Sequence, residues 1–252
     1  MKNRRYMYVI LGLIFSLLLF YILYGRNIKK NYDDYEALIL PNDISFVKSK
    51  NKWTKVIDNK LFNWKEYYIY TNNEYYGRKN LYYNEKWYIF EKDKTPLMYN
   101  GEILAFNKNH KVLEFNTIDI KFDEYINKVL EDNAIDKNTA MTSYYINLDL
   151  DGDDDLEKIY VVTNRFEIEN ISNKFFSYVF FVKNNNITYI YNESSIDADS
   201  YSGCKPYISN IFDIDDDKKY EIAMACSQYS DGQVNYKIYK YDKGKFNLLV
   251  SN

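Results

Sequence analysis

Histidine, cysteine, glycine and proline are all scarce in this chain: one His, two Cys, eight Gly and three Pro in 252 residues. A single histidine cannot supply a His-rich zinc site, and two cysteines cannot make a thiolate metal cluster. Eight glycines leave no phosphate-cradling glycine loop and no nucleophile elbow in the sequence. The histidine, His110, falls in the polar run Asn107-Lys108-Asn109-His110-Lys111 and reads as a solvated loop residue. Enzyme signatures are thus missing, with one exception. Carboxylate pairs for glycoside hydrolysis need no fixed spacing, so a cell-surface polysaccharide hydrolase using Asp/Glu stands as the alternative to a non-catalytic protein.

What the chain does contain is aromatic residues, 19% of the total with 29 Tyr among them. Abundant Tyr and β-branched residues beside one amphipathic stretch predict a mainly-β fold. Residues 1–30 stand apart. Lys2, Arg4 and Arg5 precede Tyr6–Tyr24, an uncharged apolar run. As a helix that run spans about 28 Å, the hydrocarbon thickness of a bilayer. Tyr6, Tyr8, Tyr21 and Tyr24 lie toward its ends, where aromatic belts sit. No Ala-x-Ala-like site follows, so the run reads as a transmembrane signal anchor rather than a cleaved peptide. The expected orientation is N-terminus in, with the bulk of the chain extracytoplasmic at the cell surface.

Residues 1–30 hold six of the 33 basic residues and none of the 36 acidic ones, which leaves the rest of the chain at a net −9. Nucleic acid is excluded as a partner on that balance. A surface protein or a glycan is the expected partner class. Residues 31–60 read as a polar tether and 61–118 as an N-terminal β region. In the latter, Leu81–Tyr83 and Trp87–Phe90 form one expected hairpin; Leu97–Tyr99 and Ile103–Phe106, around Asn100-Gly101, form another. Trp53, Trp64 and Trp87 read as core or half-buried sheet residues, with a carbohydrate-stacking surface as the other reading. A packing helix is expected over 119–133, with Ile118, Phe122, Ile126, Val129 and Leu130 on one stripe and Thr117 or Asp119 as cap.

From residue 143 onward two units can be aligned. Each runs strand, acidic loop, strand, polar connection, strand, tight turn, strand. The first acidic loop has Asp149, Asp151, Asp153 and Glu157 at positions one, three, five and nine; the second, 64 residues on, has Asp213, Asp215, Asp217 and Glu221. Alternate side chains of a tight turn converge on one point, and the carbonyls of Asp155 and Lys219 at position seven can fill a gap. An all-oxygen anionic cage of this kind suits Ca²⁺. The alternative is a pair of solvated acidic turns. An EF-hand is excluded because its twelfth position, a bidentate Glu, is here Tyr160 or Met224. A haloacid-dehalogenase phosphotransferase wants Thr or Val where Asp153 stands and a longer alternation of strands and helices. A sugar-nucleotide Asp-x-Asp site lacks a nucleotide fold.

The loops resemble the FG-GAP/VCBS repeat, the calcium loop of integrin α-chain propellers and many bacterial surface proteins. Its usual form is Asp-x-Asp-Gly-Asp-Gly-x-x-Asp/Glu followed by an apolar strand. The first loop keeps the four acids and Gly152 but has Asp154 for the second glycine; the second has Asp216 and Lys218 in place of both. The resemblance covers the last 110 residues or so. It implies structural calcium and antiparallel four-stranded units like propeller blades, although two blades are too few to close a ring. Cys204 and Cys226 fall near the open end of the second loop's hairpin if residues 206–212 pair with 220–226. They are either a disulfide clamping it or two free buried thiols.

Overall fold

A computed structural model of the chain describes residues 35–50, 52–91, 96–97, 103–121, 123–139, 141–165, 174–195, 204–228 and 233–252. The apolar run 6–24 lies outside them, and no helix among the described residues is long and apolar enough to cross a membrane.

The fold is mainly β. An eight-stranded sheet is built from β1 (Glu36–Leu40), β2 (Ile44–Ser49), β3 (Lys52–Lys55), β4 (Lys65–Thr71), β5 (Glu74–Asn84), β6 (Lys86–Phe90), β7 (Pro96–Leu97) and β8 (Ile103–Phe106), in the order β3-β2-β1-β8-β4-β5-β6-β7. Two five-stranded sheets follow. One takes β10 (Ile118–Asp119), β11 (Thr142–Leu148), β12 (Glu157–Thr163), β13 (Phe175–Lys183) and β14 (Asn186–Ser195) in chain order. The other runs β18 (Lys245–Ser251), β17 (Val234–Asp242), β16 (Glu221–Ser227), β15 (Lys205–Asp213), β9 (Lys111–Val112). Each unit is thus an antiparallel four-stranded meander with one short strand added from outside, and no ring closes among the described residues.

The sheets stack face to face, and strand alternation shows how. On β12, Ile159 and Val161 face the second five-stranded sheet, where they meet Ile211, Ile222 and Met224. Their neighbours Tyr160 and Val162 point the other way, onto Ile126, Val129 and Leu130 of helix α1 (Glu124–Asp132). On β16 the alternation repeats: Ala223 and Ala225 turn from the first unit toward Leu38, Phe46 and Phe106 of the eight-stranded sheet. Strands buried on both faces carry continuous apolar runs, as IYVV and FFSYVFFV do.

Several expectations need correction. Residues 36–55 are not a tether: β1 to β3 lie inside the eight-stranded sheet, with Leu38, Ile39 and Leu40 fully buried. Among the described residues, the two arms of the hairpin expected across Asn100-Gly101 do not pair with each other. Instead β7 pairs with β6, while β8 inserts between β1 and β4; residues 98–102 lie outside the described set. The hairpin β5–β6 is present. The helix is shorter than expected and is capped by Asp123, whose carboxylate accepts from Tyr125 N at 2.8 Å. Phe122 lies outside the described residues.

Candidate metal centre: two acidic turns, each with its own lysine

Both acidic loops fold the same way, and the backbone explains the spacing. Asp149 Oδ1 accepts from Gly152 N at 2.8 Å and Asp153 N at 3.2 Å, and its Oδ2 accepts from Asp154 N at 3.1 Å. Asp213 repeats this with Asp217 N and Lys218 N at 3.1 and 2.9 Å. The position-five acids accept from the position-seven amides: Asp155 N to Asp153 at 3.1 Å and Lys219 N to Asp217 at 2.9 Å. At position nine, Glu157 and Glu221 are buried at the starts of β12 and β16. One oxygen of each accepts from the position-two amide, Leu150 N and Ile214 N respectively, both at 2.8 Å. Leu150 and Ile214 are themselves buried, so an apolar second residue anchors each turn.

Positions four and six are left-handed in both turns. Gly152 and Asp216 have φ of +76° and +57°, and Asp154 and Lys218 have +69° and +67°. The turns also touch. Tyr220 N donates to Leu150 O at 2.9 Å, and a Cβ on Gly152 would stand 2.8 Å from the Lys218 carbonyl oxygen. Gly152 is therefore required twice over, by backbone conformation and by its neighbour.

Three of the four acids in each loop converge. Ligand oxygens of Asp149, Asp151 and Glu157 lie within 4.8 Å of one another, and so do those of Asp213, Asp215 and Glu221. Oxygens on opposite sides of a Ca²⁺ ion stand about 4.6–5.2 Å apart, so the donor set fits that ion. Asp153 and Asp217 stand outside these triads and reach them through a lysine.

That lysine is what sequence reasoning missed. Lys183 Nζ lies 2.8 Å from both oxygens of Asp151, 2.6 Å from Asp153 and 2.8 Å from Glu157 Oε1. Lys240 Nζ lies 2.6 Å from Asp215, 2.8 Å from Asp217 and 3.3 Å from Glu221 Oε1. Burial alone would lower the pKa of either ammonium, but the surrounding carboxylates outweigh it and the net shift is upward. The hydrogen bond from Lys183 holds Asp153 below the usual carboxylate range. For Asp217, burial works upward and is overcome by Lys240. The deep acids go the other way: burial raises Glu157 and pushes Glu221 up to about 7.

Elsewhere the sole histidine is not solvated. His110 is 4% exposed, with Nε2 3.4 Å from Glu36 Oε1 and Nδ1 3.8 Å from Asp216 at the tip of the second turn. Its ring packs edge-on against Phe106. Cys204 and Cys226 form a disulfide closing the open end of β15–β16. Trp53 and Trp87 are core residues, whereas Trp64 is 54% exposed beside Tyr82 and Phe90. No family model, curated protein or solved structure matches the chain.

Proposed function

We propose that this chain is a non-catalytic binding module held at the outer surface of a membrane by residues 6–24, and that its two acidic turns take calcium. The observation that carries this reading is the pair of carboxylate triads built at the same positions of two turns, each with a buried glutamate facing its centre. Asp149, Asp151 and Glu157 would hold one ion, and Asp213, Asp215 and Glu221 the other. Asp153 and Asp217 lie outside the triads, and the position-seven carbonyls of Asp155 and Lys219 would complete the shell. A divalent ion there balances charge that would otherwise strain the turn, and so fixes the strands on either side and any partner surface they support. The disulfide agrees with an oxidising, extracytoplasmic setting. The partner would be a surface protein or a glycan.

Thermal melting of the full chain in mild detergent, with calcium and with chelator, tests the reading. Ligand that binds only the folded state raises the midpoint with its excess over Kd. Calcium should raise the midpoint, and Asp149→Ala with Asp151→Ala should remove most of the first site's share. An unchanged midpoint at every calcium concentration would sink the proposal.

A further inference from the structure

The two lysines occupy equivalent places in space without being equivalent in sequence. Lys183 follows Asp149 by 34 residues, whereas Lys240 follows Asp213 by 27. What brings both into the acidic turns is sheet register. Glu221 pairs directly with Lys240 across β16 and β17. In the other unit Lys158 pairs with Val182, which sets Glu157 opposite Lys183 one step on. Each ammonium has three N–H donors, and each faces three carboxylates. Both stems are largely covered, at 19% and 16% side-chain exposure, so these are seated residues rather than surface lysines leaning on an acid.

We propose that Lys183 and Lys240 are built-in competitors for the metal: each turn exists either with its own ammonium seated or with a divalent ion in its place. The inference rests on the calcium reading and specifies how those sites are regulated. A doubly charged ion among these oxygens would lie within contact distance of the ammonium, and two cations cannot share the position without strong repulsion. Binding therefore requires the four-carbon lysine stem to swing out. The apparent affinity is reduced by the fraction of time the lysine is seated. The same residue keeps the turn ordered when calcium is scarce, because the carboxylates retain a counterion. Lys183 is held more closely than Lys240, with 2.8 Å against 3.3 Å to the deep glutamate, so the first turn is the more strongly self-blocked.

The test is calorimetric titration of calcium chloride into the full chain in mild detergent, as wild type, Lys183→Met, Lys240→Met and Lys158→Met. Methionine keeps the stem and removes the charge. Lys158 lies on β12, beside Glu157 in sequence, but its ammonium sits over the Tyr145 ring, 4.9 Å from its centre, so its substitution controls for net charge. Removing a competitor of this kind should tighten calcium binding about tenfold or more for Lys183→Met, and less for Lys240→Met, with Lys158→Met near wild type. If wild type and both cage variants bind calcium equally, the competition is overturned while the calcium reading stands. If none binds, both fall. If only the cage variants bind, the competition holds in its extreme form and native calcium binding falls. Lys183→Arg and Lys240→Arg retain the charge and guard against misfolding. Should they fold while the Met variants stay unfolded even in calcium, the lysine is a counterion no metal can replace, and the proposal fails.

Discussion

The two acidic turns share a backbone but differ in what surrounds them. The first has glycine at position four and an exposed Leu156 at position eight; the second has Asp216 and the buried Tyr220 at the same places. The difference follows from contact. Gly152 is pressed against the Lys218 carbonyl, whereas Asp216 reaches outward toward His110. The second turn is also nearer the centre of the stack, between the first unit and the eight-stranded sheet, and its glutamate is the more deeply buried. Position four is thus restricted to glycine in the first turn, where a facing carbonyl leaves no room for a Cβ, and is occupied by aspartate in the second.

The largest effect that would sharpen this contrast comes from the position-nine glutamates. Glu221→Ala leaves the Ile214 amide without its acceptor and removes the buried carboxylate 3.3 Å from the Lys240 ammonium, and urea unfolding should show a loss of about 3–5 kcal/mol. Glu157→Ala should cost less because its site is nearer solvent; an equal or larger loss would mean that depth is not what separates the turns. The disulfide belongs to the second unit alone. Replacing Cys204 and Cys226 by Ser opens a link across a separation of 22 residues. For a closed loop of that size the loss should be about 3 kcal/mol, read from the same unfolding curves. Gly152→Ala, which meets both a backbone carbonyl and an unfavourable φ, should cost about 2–3 kcal/mol. Asp216→Gly, at the matching position, should be close to neutral, and a large loss there would break the comparison.

The smallest effect concerns Tyr144, which stands in the first unit where the second has Ile208, and whose hydroxyl accepts from Ile208 N at 3.3 Å. Burial pushes its pKa up to about 12. The folded state therefore keeps a proton that the unfolded chain releases above about pH 10. Stability is intact below that pH and declines as pH rises toward 12, by about 1 kcal/mol at pH 11. Tyr144→Phe should flatten that part of the profile in alkaline denaturation.

The acid spacing, the four-stranded units and the β5–β6 hairpin were legible because each is a local pattern. The lysines were not, because a strand's register against a partner dozens of residues away decides which side chain enters the turn. The burial of His110 is hidden for the same reason: its polar sequence neighbours suggest solvent, while Glu36 and Asp216 come from distant segments. Residues 36–55 look like a polar tether because Lys, Asn and Asp surround short apolar stretches such as EALIL, although alternate residues of that strand serve two different cores.

The unequal widths of the stacked sheets leave an overhang. The middle sheet, β9 with β15–β18, contributes to packing on both faces. The eight-stranded sheet is wider than its neighbour, and on the side bearing Tyr68 its far strands extend past it, leaving Trp64, Tyr82 and Phe90 as a ledge. Among the described residues the middle layer is closed on both faces, so loop tips, outer strands and that aromatic shelf are the surfaces left open to a large visitor.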